Sequence, residues 1–141
     1  MELNHNRLTR LPVSLPGSVR RLLVESNSFR ELTPQDAFPP DGSSQLVALS
    51  MAGNHISTLR RGDLQRVPLL RALDLSVNNI RRLYVHLSVN NIRRLHADVL
   101  ADNVRLRSLQ LSRNPLSHLS AGCFSGLPAL RRPTPLYTPV V

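Results

Sequence analysis

The 141-residue chain contains no lysine and no tryptophan, a single cysteine and only 4% aromatic residues. Each shortage removes a class of function. With Cys123 alone there is no intrachain disulfide and no multi-cysteine zinc site, which leaves the redox compartment open. Few aromatics mean few platforms on which nucleobases could stack, so nucleic acid is a disfavoured partner. The sequence has no stretch of about 20 apolar residues, and MELNHNRLTRLP at its start is polar and Arg-bearing; as written, the chain carries neither a membrane span nor a secretory leader. No N-x-[S/T] sequon occurs, so no N-glycan is specified. Gly-rich phosphate loops, G-x-S-x-G elbows and paired-carboxylate sites are missing. His5, His55, His86, His96 and His118 are dispersed without metal-ligand spacing. Cys123, next to Phe124, reads as a small buried hydrophobe, with a reactive thiol as the alternative. The expectation is a protein that is not an enzyme and holds no cofactor or metal.

Arginine supplies the whole basic set, 18 residues against 9 acids, for a formal charge of +9. Such an excess suits a polyanion such as heparin or another sulfated glycan. Scattered arginine is also the ordinary state of a solvated surface. The doublets Arg60-Arg61, Arg81-Arg82, Arg93-Arg94 and Arg131-Arg132 fit either reading.

A repeat organises the chain. ELNHNRL (Glu2 to Leu8), VRRLLVESNSF (Val19 to Phe29), LVALSMAGNHI (Leu46 to Ile56), LRALDLSVNNI (Leu70 to Ile80) and LRSLQLSRNPL (Leu106 to Leu116) share the spacing L-x-x-L-x-L-x-x-N-x-L, the first as a partial copy. This is the leucine-rich repeat signature. Apolar fourth and sixth places, such as Leu73 and Leu75, lie on one side of a short strand, and the strands are expected to pair in parallel. The ninth-place asparagines Asn6, Asn27, Asn54, Asn78 and Asn114 follow the strand where the chain turns inward; stacked, their amides are expected to form a ladder on buried backbone groups. Return segments supply a second apolar set, including Leu11, Leu15, Leu32, Phe38, Leu59, Leu64, Leu95, Leu100, Leu119, Phe124 and Leu127. Prolines in the returns favour irregular or short 3₁₀ arcs over long helices.

LSVNNIRRL occurs twice, starting at Leu75 and at Leu87. Sixth-place residues are separated by 21 (Leu3 to Val24), 27 (Val24 to Met51), 24 (Met51 to Leu75) and 36 (Leu75 to Leu111) positions, so the last interval exceeds its predecessor by the 12-residue offset of the copies. Twelve residues are too few for a turn of at least about 20 and read as an insertion. If the second copy formed the strand, Arg82 and Val85 would occupy the first and fourth apolar places, and an arginine would be buried. The reading is Asn78 in the ladder and a mobile exposed loop within residues 81–91. A tandem duplication in the coding sequence, or an error in assembling that sequence, explains the repeat more simply than a functional demand does.

Leu3 to Val24, LNHNRLTRLPVSLPGSVRRLLV, is similar to the short repeats of small leucine-rich proteoglycans and podocan-like proteins; AGCFSGLPALR, Ala121 to Arg131, resembles the return of secreted and receptor-type repeats. The resemblance covers about Glu2 to Arg132 and implies an α/β class fold: a right-handed, curved leucine-rich repeat solenoid with a parallel β-sheet on the concave face and irregular or 3₁₀ convex returns. It further implies a secreted or extracellular-matrix setting and a protein ligand on the concave face. The organisation expected is a solenoid over 1–132, with the duplication at 75–98, and a Pro-rich disordered tail over 133–141.

Two features depart from the family. Cysteine-rich caps are absent, and the leucine spacing stops at Pro133. Uncapped ends suggest self-association, or a truncated product without independent function. Concave-face candidates for ligand binding are Arg20, Arg21, Glu25, Arg71, Asp74, Arg107, Gln110 and Arg113, with Arg20, Arg71 and Arg107 pairing to Glu25 and Asp74 as the bland alternative.

Overall fold

Where leucines alternate with polar or small residues for only three positions, the chain can hold only a three-residue strand before it must turn. In a computed structural model, which describes residues 1–32, 37–60, 62–80, 82–84, 100–114, 116 and 124–133, the strands are this short. They are β1 (Arg21–Leu23), β2 (Ala48–Ser50), β3 (Thr58–Arg60), β4 (Ala72–Asp74), β5 (Arg82–Tyr84), β6 (Ser108–Gln110) and β7 (Arg132–Pro133). Five of them form one parallel sheet in the order β1-β2-β4-β6-β7. Its register places Leu22 beside Leu49, Leu49 beside Leu73 and Leu73 beside Leu109. Ahead of β1, the N-terminal segment extends the sheet through a parallel bridge between Glu2 and Leu23.

Sequence periodicity becomes packing through this register. Fourth-place leucines stack on one another beneath the sheet, and the sixth-place column Val24, Met51, Leu75 and Leu111 runs beside them, all buried. The first-place Leu46, Leu70 and Leu106 and the eleventh-place Phe29, Ile56, Ile80 and Leu116 close the same core. Each such side chain contributes roughly 1.5–3 kcal/mol relative to its exposed state. Backbone pairing also outruns the assigned strands: Val47 N–H donates to Arg20 O at 2.8 Å and Gly53 N–H to Ser76 O at 3.0 Å, so neighbouring turns are joined from the second place to the eighth.

The returns combine the short turns expected of them with a strand pairing that was not expected. Around 60–70 the chain steps through successive i→i+3 turns, from Asp63 N–H to Arg60 O at 3.2 Å to Leu70 N–H on Val67 O at 3.1 Å. On this side, however, β3 and β5 form a second, two-stranded parallel sheet with Leu59 opposite Leu83. Residues 82–84, expected within a loop, therefore form a strand. The partner is Thr58–Arg60, whose β-branched Thr58 and buried Leu59 favour an extended backbone. The spacing of 24 residues that relates β2 to β4 also relates β3 to β5, so the first copy of the duplication keeps both strands in step. The remainder of the expected loop, the second copy with Asn90, and the segment 134–141 lie outside the described residues. At the far edge, Pro133 pairs opposite Leu109, a sheet edge being the position where a missing N–H is tolerated.

Backbone strain recurs where the chain leaves the sheet. The eighth place takes positive φ in every repeat: His5 at 54°, Ser26 at 52°, Gly53 at 67°, Val77 at 53° and Arg113 at 55°. Only Gly53 suits this conformation without cost, and a β-branched Val77 suits it least.

Candidate functional site

After each of these left-handed residues comes the asparagine that fastens one turn to the next. Asn54 Nδ2 donates to Met51 O of its own turn at 2.9 Å and to Val24 O of the preceding turn at 3.0 Å, while its Oδ1 accepts Phe29 N–H at 3.1 Å. Asn78 repeats the pattern one turn on: Nδ2 to Met51 O at 2.9 Å and Leu75 O at 3.1 Å, Oδ1 from Ile56 N–H at 3.0 Å. Asn114 binds Leu75 O at 2.8 Å and accepts Ile80 N–H at 2.9 Å, and Asn27 binds Leu3 O at 2.9 Å and accepts Leu8 N–H at 3.0 Å. Asn6 is exposed and donates to the carbonyls of Leu3 and Asn4. Buried N–H and C=O groups at the end of the strand are thereby satisfied, and the side chains just before it are held in place on the open face of the sheet.

That face divides into two zones. Its centre is a shallow depression of about 240 Å³ lined by Arg21, Leu23, Glu25, Ser50, Asp74, Ser108 and Gln110 over the small Ala48 and Ala72. Glu25 is fixed there: Asn4 Oδ1 accepts its N–H at 2.7 Å, and Ser50 Oγ donates to its Oε1 at 2.7 Å. Asp74 Oδ1 accepts Ser76 N–H at 2.9 Å. The second zone is the leading edge of the strands, where Arg71 and Arg107 occupy consecutive turns and line, with Val104, Arg105 and Ala129, a separate depression of about 230 Å³. Of the eight candidates, Arg21, Glu25, Asp74 and Gln110 thus converge on the centre, Arg71 and Arg107 on the leading edge. Arg20 and Arg113 are exposed and line neither depression. Among the described residues no ion pair joins Arg20, Arg71 or Arg107 to Glu25 or Asp74; the pair observed is Arg60 with Glu31 at 3.7 Å, on the return side.

Several polar side chains in the returns escaped sequence reasoning. Buried Asn103 stands where the preceding turn has Val67, and its Nδ2 donates to Leu64 O at 3.3 Å and Val67 O at 3.1 Å, a second clamp between turns. Its only sign was an asparagine where the turns on either side carry Val67 and Leu127. Asp63 Oδ2 accepts Arg60 N–H at 2.7 Å. Burial pushes its pKa up to about 6 against the opposing hydrogen bond and charge of Arg60, with Glu31 adding to the rise. A raised value means that the folded chain binds more protons than the unfolded chain between pH 3.8 and about 6, so this group's contribution to stability falls as pH rises through that window. Asp63→Asn keeps an oxygen for Arg60 N–H and loses the charge. Thermal melts should find it about 1 kcal/mol more stable than the parent at pH 7, after discounting for solvent screening, and the difference should vanish below pH 4.

No helix among the described residues is long and apolar enough to cross a membrane, and among them no cluster of three metal-ligating side chains occurs. Cys123, His86, His96 and His118 lie outside the described residues.

Comparison with known proteins extends the geometry. Residues 84–132 match the leucine rich repeat family. Mouse podocan-like protein 1 is 31% identical over 136 residues, 93% of this chain and 21% of the relative; rabbit fibromodulin is 36% identical over 81 residues, 57% of this chain and 52% of the relative. Among solved structures, human 5T4, a trophoblast glycoprotein, superposes with a TM-score of 0.57 at 26% identity, over 89% of this chain and 53% of that one. The chain spans about a fifth of the length of podocan-like protein 1. Repeat spacing, stacked parallel strands and these relatives make the chain a leucine-rich repeat protein that resembles the small leucine-rich proteoglycans.

Proposed function

We propose that the chain is a non-catalytic protein-binding module of matrix or receptor type, whose curved solenoid presents the centre of the sheet as a concave face to a protein ligand. The observation that carries this reading is the central depression. Alanine and serine keep the floor low enough for a partner's side chains to enter, and Glu25, held by Asn4 and Ser50, stands beside it with Arg21, Asp74 and Gln110. Fixed polar groups around a shallow, side-chain-sparse surface provide complementarity at small entropic cost. The relatives support the setting: a podocan-like protein, a fibromodulin and a trophoblast glycoprotein. Extracellular placement belongs to the same proposal.

The test is quantitative capture from a matrix extract by the immobilised chain beside its Glu25→Arg/Asp74→Arg variant, after circular dichroism has shown equal melting. Proteins retained by the parent should be lost from the variant by tenfold or more. Identical retained sets would contradict binding at this face.

A further inference from the structure

The leading edge of the sheet carries a charge pattern that the central face does not. Arg71, Arg107 and Arg131 sit at the second place of consecutive turns; Arg107 N–H donates to Arg71 O at 2.8 Å and Arg131 N–H to Arg107 O at 3.2 Å. Their α-carbons therefore follow the strand spacing of roughly 4.8 Å. Arg105 joins them from the preceding turn, on the rim of the same depression as Arg71 and Arg107. All four side chains are exposed. No acid lines the depression among the described residues, and none of the four appears in an ion pair there. Four like charges so close repel one another, a cost that an anion shared between them removes.

We propose that this edge binds a sulfated polysaccharide running across the turns, with sulfate groups seated on Arg71, Arg105, Arg107 and Arg131. Three features select this class. Guanidinium groups bind tetrahedral oxyanions through paired, charge-assisted hydrogen bonds, and here they recur at the interval of the turns, as sulfates recur along a polymer. Apolar lining is confined to Val104, Ala129 and the arginine stems, too little to bury the aromatic or aliphatic anchor on which a peptide partner would depend. No aromatic ring lines the depression to stack a base. The proposal is independent of protein binding at the sheet centre: Arg21, Glu25, Asp74 and Gln110 take no part in it, so either site can fail while the other stands.

The experiment is calorimetric titration of the whole chain with a heparin dodecasaccharide between 50 and about 300 mM salt, conditions chosen because exposed charge pairs are screened over this range. Alongside go Arg105→Gln/Arg131→Gln, the quadruple variant that adds Arg71→Gln and Arg107→Gln, and the charge-matched control Arg7→Gln/Arg10→Gln/Arg30→Gln/Arg113→Gln. The double variant should weaken binding by about tenfold, and the quadruple variant further, with a shallower dependence on salt; the control should stay within about twofold, since only counterions at contacted charges are released. Equal melting of all variants by circular dichroism keeps a folding defect from imitating the effect. Equal loss in the control would overturn the site in favour of diffuse net charge. Undiminished binding of desulfated heparin, or tighter binding of inorganic polyphosphate or single-stranded DNA, would overturn the sulfated ligand.

Discussion

Replacing Asn78 with leucine is expected to remove about 3–5 kcal/mol of folding stability, although the side chain keeps its branching and its number of heavy atoms. Leucine fills the space and restores none of the hydrogen bonds. Ile56 N–H loses its acceptor, and Met51 O and Leu75 O lose the Nδ2 that each received. Ile56 is buried, and its unsatisfied N–H costs about 1–3 kcal/mol; Met51 O and Leu75 O keep Asn54 Nδ2 and Asn114 Nδ2 as donors and lose one bond each, about 0.5–1.5 kcal/mol apiece. A domain of this size has roughly 5–15 kcal/mol in all. In a stacked-turn protein the loss falls on the interfaces of one turn, so the melt should broaden as well as shift. Denaturant titration beside Asn79→Leu, at the exposed neighbouring position, separates ladder from surface; equal midpoints for the two variants would show that the ladder does not hold the turns together.

Leu73→Ala is expected to cost about 3–4 kcal/mol, within the range for leucine truncations in close-packed cores. Leu73 is 1% exposed and lies in register between Leu49 on one strand and Leu109 on the other. Both neighbours are clamped by their own turns, which limits collapse into the void. Leu23→Ala provides the contrast. One place along the strand from Leu22, Leu23 points to the open face and is only partly buried, and its truncation should cost less than about 1 kcal/mol. Because strand side chains alternate faces, a register shifted by one residue would invert the two results. Urea unfolding of both variants decides between the registers.

The strands and their order follow from spacing alone, because leucines at the fourth and sixth places can share a buried side only if the chain between them is extended. Asn27, Asn54, Asn78 and Asn114 were legible for a similar reason: a polar residue held in register beside buried apolar columns needs a backbone partner. The left-handed backbone at the eighth place was not legible. His5, Ser26, Gly53, Val77 and Arg113 have no shared chemistry; the conformation is imposed by the asparagine that follows, whose amide draws the chain inward. Strand β5 was hidden by the duplication, since its pairing with β3 depends on a neighbour 24 residues away that carries no strand signature beyond Thr58 and Leu59. For the site, alternation identified which side chains leave the core. It could not divide them into an acid-bearing centre and a basic edge, because the second, third, fifth and seventh places all leave the core, and which of them share a depression depends on how the turns stack.

Two thermal melts test most directly whether the first copy of LSVNNIRRL supplies the sixth-place leucine after β4 and the ladder asparagine. They compare Asn78→Leu with Asn90→Leu, the same substitution at the equivalent place of the second copy. A loss of about 3–5 kcal/mol at Asn78 with less than about 0.5 kcal/mol at Asn90 is the predicted result. A larger loss at Asn90, or equal losses at both, would contradict it.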